Sequence, residues 1–407
     1  MITNIPELIA PVGDWPSLHA AVQNGAGGVY FGLKELNMRD NALSFEQNEL
    51  KKIAEYAGEN DVKTYLTLNA IVFDDEITRV HKILRAAKEA GITAVIGWDM
   101  SVLEAARAEG VRIHLSTQAS VSNFEAVKYY AGLGVKRIVL ARECSLDRIK
   151  TIIKQIKTHG LQVEIETFIH GALCISISGR CFMSEYLLGQ SANRGKCSQP
   201  CRRKYHITDL EGEAEFEIED GYVLSPKDVC TLPFIEKLID AGIHAFKIEG
   251  RMRAPEYVAT VTRVYHDAIS EYCNGTLTDV KKDNYIKALA TVYNRGFSNG
   301  FYFGLPENDL AKASGSIATK RKHYIGEVLK YYSKINVAEI LVRNDGLEKG
   351  DAILVTGNST GAQKAVAEEM EREHQKIDRA EKGSKIAIKL PFAVKRGDKL
   401  FKLTAAQ

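Results

Sequence analysis

Residues 166–203 read ETFIHGALCISISGRCFMSEYLLGQSANRGKCSQPCRR and hold four of the seven cysteines, Cys174, Cys181, Cys197 and Cys201. A fifth, Cys230, follows in LSPKDVC at 224–230. The opening MITNIPELIAPVGD has no basic start and no long apolar run, so a cytoplasmic chain is expected. Disulfides are rare in that compartment, and clustered thiols there point to metal or redox chemistry. Thiolates are soft ligands that suit iron–sulfur clusters or zinc. The intervals are irregular, and only Cys197 and Cys201 approach the short knuckle of a zinc ribbon. A single such cysteine would read as a small buried hydrophobe; five together, with Gly and Arg between them, read as a metal site.

On either side of this stretch the chain alternates short apolar runs with amphipathic segments. The strand candidates are 7–11, 28–32, 63–70, 94–99, 112–118, 137–143, 163–171 and 245–251. Glycine-led turns such as AGITAVIGW, LGVKRIVL and AGIHAFKI close helices and open buried strands. Such alternation implies parallel pairing with right-handed crossovers. The expected fold class is therefore α/β, a (β/α)8 TIM-like barrel of ~250 residues before insertions. An open doubly wound sheet is the alternative; no GxGxxG opens the first helix. The thiol stretch falls in a Cys-rich insertion (172–240) between strands 7 and 8, on the rim where barrel enzymes keep their chemistry. An acidic hairpin is expected at 209–220 and trailing helices after Arg251. The barrel unit is placed at 1–304. Residues 305–323 read as loop. From 324 to 407, "GD-apolar" turns suggest a small C-terminal β-barrel domain.

The net charge of +2 neither requires nor excludes a polyanionic partner, and no apolar run approaches the ~18 residues of a membrane helix. Polar residues at strand ends are the catalytic candidates: Asp14, Asn69, Asp99, Gln118, Arg142, Glu143, Glu166, His170, Glu249 and Arg251. Period-two alternation sets Glu166, Phe168 and His170 on one face, as it does Glu249 and Arg251. Arg251 could fork a carboxylate. The basic pieces 194–196, Arg202–Lys204 (with Arg203), 251–253 and Lys320–His323 (with Arg321) could meet phosphates. HExxH is absent, and the GxSxG strings at 296–300 and 357–361 follow none of the barrel strand candidates as a nucleophile elbow would. His170 near Cys174 leaves a Cys/His protease open.

Residues 166–184 resemble the signature of the collagenase-like peptidase family, bacterial and archaeal peptidases of unknown catalytic type. The likeness extends to ELIAPVGD (7–14), GKCSQPCR (195–202), LSPKDVC (224–230), KIEGRMR (247–253) and YNRGF (293–297). It implies oxygen-independent hydroxylation, with the prephenate-dependent tRNA uridine hydroxylase branch nearest in length and domain order. The LSPKDVC piece departs from the Asn-Ser-Lys-Asp-Leu-Cys form of that branch. Implied partners are tRNA, prephenate as co-substrate and hydroxyl source, and a paralogous family subunit. The implied cofactor is a 4Fe-4S cluster, with zinc as the alternative. Its ligands would be Cys174, Cys181, Cys197 and one more, Cys230 first and Cys201 second. Arg251 or Arg180 would hold prephenate, and Glu166 or His170 would move protons. Peptidase activity, or zinc-stabilised RNA binding without catalysis, are the rival readings.

Overall fold

A computed structural model describes residues 5–39, 44–206, 221–306, 309–313, 315–344 and 346–406. The acidic segment at 209–220 lies outside them. Ten strands make up the first sheet: β1 (Glu7–Pro11), β2 (Gly28–Gly32), β3 (Lys63–Thr67), β4 (Ala94–Gly97), β5 (Ile113–Leu115), β6 (Arg137–Val139), β7 (Glu164–Ala172), β8 (Asp228–Cys230), β9 (Ala245–Ile248) and β10 (Phe297–Ser298). β1 to β7 pair in order, and β9 bonds in parallel to both β7 and β1. Eight parallel strands thus close into a barrel, with β9 in the eighth place that the sequence assigned to 245–251. The expected barrel is what forms; β1 and β2 keep their expected limits, the seventh strand shifts by one residue, and the other five shorten.

The reason is visible in the side chains. In β1, Leu8 and Ala10 face the surrounding helices and Ile9 faces the barrel interior, beside Tyr30, Tyr65, Ala94, Ile96 and Ala245. Helices start where a side chain can cap them. Asp14 accepts from the Ser17 amide at 2.8 Å, and Asp99 from the Ser101 amide at 3.0 Å. These two strand-end candidates are therefore helix caps.

β7 is the exception among the barrel strands. At nine residues it overshoots the rim. Its overhang pairs antiparallel with β8, His170 facing Cys230, and β10 adds alongside β8. The end of LSPKDVC, Asp228–Cys230, is thus a strand outside the barrel wall. The Cys-rich segment hangs between β7 and β8 as short turns of helix, Met183–Leu188 being the longest.

The C-terminal unit is an antiparallel β domain. Its longest strand, Lys320–Tyr332, carries the basic cluster Lys320–His323, so residues expected in a loop lie on a strand paired with Lys399–Ala405. Strands at Gly361–Val366 and Met370–Arg372 had too few apolar residues to be read in advance. A separate core, Ile325, Val328, Ile340, Ile353 and Leu400 among its members, fills this domain. Leu354 and Ala362 instead join the barrel core, so the domain is seated on the barrel's outer helices.

Gly361 sets that seat. With φ +70°, it approaches the helix Trp15–Gln23 so closely that an added Cβ would lie 3.0 Å from the Ala20 amide nitrogen. Gly361→Val should combine left-handed strain with overpacking and cost about 2–4 kcal/mol. The expected outcome is a lowered urea midpoint, measured by circular dichroism.

Candidate functional site

One cavity opens at the C-terminal mouth of the barrel, and the thiols meet there. Cys174, Cys181, Cys197 and Cys201 all line it. Three chain turns bring them together. Cys174 follows the β7 overhang. Cys181 is fixed by its amide, which donates to Asn193 Oδ1 at 3.1 Å, and its sulfur accepts the Met183 amide at 3.3 Å. The Cys197–Cys201 turn passes through Gln199 in the left-handed region (φ 52°) just before Pro200. That conformation is costly before proline and persists because its surroundings impose it. Burial pushes the Cys201 thiol up; Arg202 pulls it down, and the sulfurs of Cys174, Cys197 and Cys181 push it up further. Among the described residues, no group of three or more His, Cys, Asp or Glu side chains is placed to hold a metal ion.

Cys230 is placed elsewhere. It is buried in the β8 pairing, its sulfur accepts from Tyr265 Oη at 3.7 Å, and burial pushes its thiol up to about 11. It does not line the cavity, so the fourth thiol on this wall is Cys201 and not the first choice made from resemblance.

Arg202 also differs from expectation. Its guanidinium donates to Leu173 O at 2.6 Å, Pro226 O at 2.7 Å and Ser225 Oγ at 3.1 Å. It ties the Cys201 turn to the residue before Cys174 and to the segment before β8. Its hydrogen bonds go to protein carbonyls and a hydroxyl, which makes it a clamp for the thiols. Arg203 and Lys204 are exposed, with Lys204 over the Tyr222 ring. Lys320 and Arg321 stand in a different cleft.

The floor of the cavity is cationic. Arg39, Arg142, Lys247, Arg251 and Arg295 line it with Arg202, and among the described lining residues Glu249 is the one acid. Burial alone would raise the Glu249 carboxyl, but Arg39, Arg142, Arg251 and Lys247 outweigh it and hold it below the usual range. Arg39 lies 3.5 Å and Arg142 3.8 Å from it. Burial pushes Arg251 down to about 10; its Nη1 donates to Thr67 Oγ1 at 2.8 Å and Asn37 Oδ1 at 3.2 Å. Tyr30, Ile96 and Phe168 supply apolar wall, and the Arg142 guanidinium stacks 4.0 Å over Phe168. Asn69 and Gln118 are in the lining too, bonded to each other at 2.9 Å.

Beneath the floor runs a column of alternating charge. Lys63 and Arg137 meet Glu7, each at 2.9 Å. Arg137 reaches Glu166 at 3.6 Å, and Glu166 holds Lys247 at 2.8 Å. Lys247 lies 4.2 Å over the Tyr30 ring, whose hydroxyl donates to Glu249 at 3.4 Å. Glu166 is thus an interior counter-ion under Lys247, not a cavity acid. Burial lowers the Lys247 pKa, with Glu166 opposing.

His170 does not share the face of Glu166. A register shift between Phe168 and His170 breaks the alternation. His170 turns outward among Tyr257, Tyr265 and Phe297, and burial pushes it down to about 3. A dyad of this imidazole with the exposed Cys174 is not formed. Arg180 is exposed at the rim, bonded to Ser120 and over the Trp98 ring, outside the cavity lining. The residues that sequence reasoning missed are Arg39, in the loop after β2, and Lys247 and Arg295, each inside a quoted motif but not weighed as a site residue.

Glu166→Ala should leave Lys247 and Arg137 buried without their counter-ion and cost about 3–5 kcal/mol in chemical denaturation. The imidazole gives a pH signature. An unfolded His170 gains its proton as pH falls through its ordinary 6.5, whereas the folded one holds off until about 3. Stability is therefore lost as pH falls across that window, by up to about 1.4 kcal/mol per pH unit. His170→Phe should remove that part of the slope, read from urea midpoints between pH 7 and pH 4.5.

The model of peptidase family U32 matches residues 13–312. The chain is 42% identical over 409 residues to a Collagenase of Porphyromonas gingivalis, covering 99% of each chain. It is 35% identical over 360 residues to a tRNA hydroxylation protein of Bacillus subtilis, covering 87% of this chain and 84% of that one. It is 33% identical over 358 residues to a 23S rRNA 5-hydroxycytidine synthase of Escherichia coli, covering 84% of this chain and 52% of that one. Among the described residues, no helix is long and apolar enough to cross a membrane.

Proposed function

The chain belongs to peptidase family U32, and we propose that within it the protein is an oxygen-independent hydroxylase of RNA. The observation that carries this reading is the meeting of four thiols and six cationic side chains on one cavity. Relatives named for tRNA hydroxylation and for 5-hydroxycytidine synthesis in 23S rRNA support RNA as the substrate class. The finer assignment is 5-hydroxyuridine at the tRNA wobble position, with prephenate as hydroxyl source, in the cytoplasm.

Cys174, Cys181, Cys197 and Cys201 would hold a four-iron four-sulfur cluster, which supplies one-electron chemistry when bound. Four thiols lining one cavity match the donor number of such a cluster, one thiolate to each iron; zinc is the alternative. Arg39, Arg142 and Arg251 supply charge for the carboxylates of a dianion such as prephenate, and Tyr30 and Phe168 an apolar wall for its ring. Lys247, held by Glu166, stands where it can pass a proton to a group on the cavity floor.

Peptide hydrolysis is the second reading, favoured by the Collagenase relative. The outward turn of His170 speaks against the Cys174–His170 pair it would use.

Anaerobic purification should yield brown protein with about four iron and four sulfide per chain. Cys201→Ala should abolish the colour and Cys230→Ala retain it. Colourless protein with stoichiometric zinc overturns the cluster, and gelatin cleavage lost in Cys174→Ala would favour the peptidase. Nucleoside mass spectrometry of tRNA from a deletion strain should show loss of 5-hydroxyuridine-derived nucleosides.

A further inference from the structure

A second cleft, of about 230 Å3, lies where the β domain meets the helix Pro255–Cys273 and the YNRGF segment. Its charged lining is lopsided. Arg253, Lys320, Arg321, Lys322 and Lys364 face Glu256, the one acid among the described lining residues. Lys322 takes Glu256 at 2.6 Å. Arg253 lies 3.5 Å over the Tyr293 ring, which holds its guanidinium plane. Lys364 donates to Thr260 Oγ1 at 3.2 Å, and its ammonium pKa is lowered first by desolvation and then by the charge of Lys320. Cations gathered at this density are relieved by an anion.

The cleft adjoins the thiol cavity. Met252, 45% exposed, lines both. On its two sides Arg251 enters the cavity and Arg253 the cleft, with Cα atoms no more than about 7 Å apart along the chain. A ligand that fills the cavity and continues past Met252 is favoured there by negative charge on its continuation. A polynucleotide does so, since each base is followed by a phosphate.

We propose that this cleft binds the phosphate backbone of the RNA strand whose base enters the thiol cavity. The assignment rests on the RNA reading above and adds where the strand runs. Phosphate contacts of this kind position a strand without reading its sequence.

The test is fluorescence anisotropy of the full-length protein with a labelled bulk tRNA pool, over a range of salt concentrations. Arg253→Ala and Lys320→Glu should each weaken binding about 3–10-fold at 0.1 M salt, and Arg253→Ala should lower the salt slope by about 0.7–0.9. Lys320→Glu changes an exposed position, so its effect does not depend on altered packing. Lys385→Ala, outside the cleft, should bind as the wild type does. Wild-type affinity and slope in both cleft variants would overturn the backbone path while leaving RNA as the substrate. Failure of the wild type itself to bind tRNA would remove the RNA reading, and the backbone path with it.

Discussion

The ion pair between Glu166 and Lys247, at 2.8 Å inside the barrel, is the contact on which the rest of the site depends. Placing two charges in a barrel core is costly unless each is paired and hydrogen-bonded. Here the cost is met by extension. Glu166 also faces Arg137, Arg137 faces Glu7, and Lys247 lies on Tyr30, which reaches Glu249. The column alternates in sign from one end of the barrel to the other. Its upper end carries more positive charge than negative, and the cavity begins there. The cationic floor is thus the last step of an interior arrangement rather than a surface patch laid on a neutral barrel.

Arginines tie the cysteine wall to the barrel. Arg202 binds the Cys201 turn to Leu173 and to the segment before β8, and Arg194 binds the insertion to Glu76 at 2.5 Å and to Ile71 O. Both arginines belong to basic pieces that, on sequence alone, could meet phosphates. The structure uses their forked donors for protein acceptors, the role for which a planar guanidinium is suited and lysine is not. Arg203 and Lys204, next in sequence, remain exposed.

Much of the fold was legible because its signal is local. The strand limits of β1 and β2 follow from runs of apolar residues ended by proline or glycine, and the convergence of Cys174, Cys181, Cys197 and Cys201 follows from their crowding beside one strand end. What could not be read is tertiary. The bulge that turns His170 outward leaves no mark in TFIHG, since the alternation there looks unbroken. Glu166 reads as a rim acid until its position below Lys247 is seen. Arg39 lies in a segment with no motif, and its place beside Glu249 is a tertiary contact between residues far apart in the chain. Cys230 belongs to a motif yet pairs in β8, which no periodicity over three residues can announce. The basic strand at Lys320–His323 acquires its partners only when the β domain sits on the barrel.

The overhang of β7 has a consequence for how such a barrel can be extended. The seam between β7 and β9 closes across the whole interval from Ala172 to Ala245, which also contains β8 and the thiols. Loop-closure entropy grows only with the logarithm of length, so tripling an ordinary crossover adds about 1 kcal/mol. Length is therefore a weak obstacle to elaboration at this seam. The harder requirement is an anchor at each end of the added chain, and β7 provides one by running past the rim to pair with the returning β8.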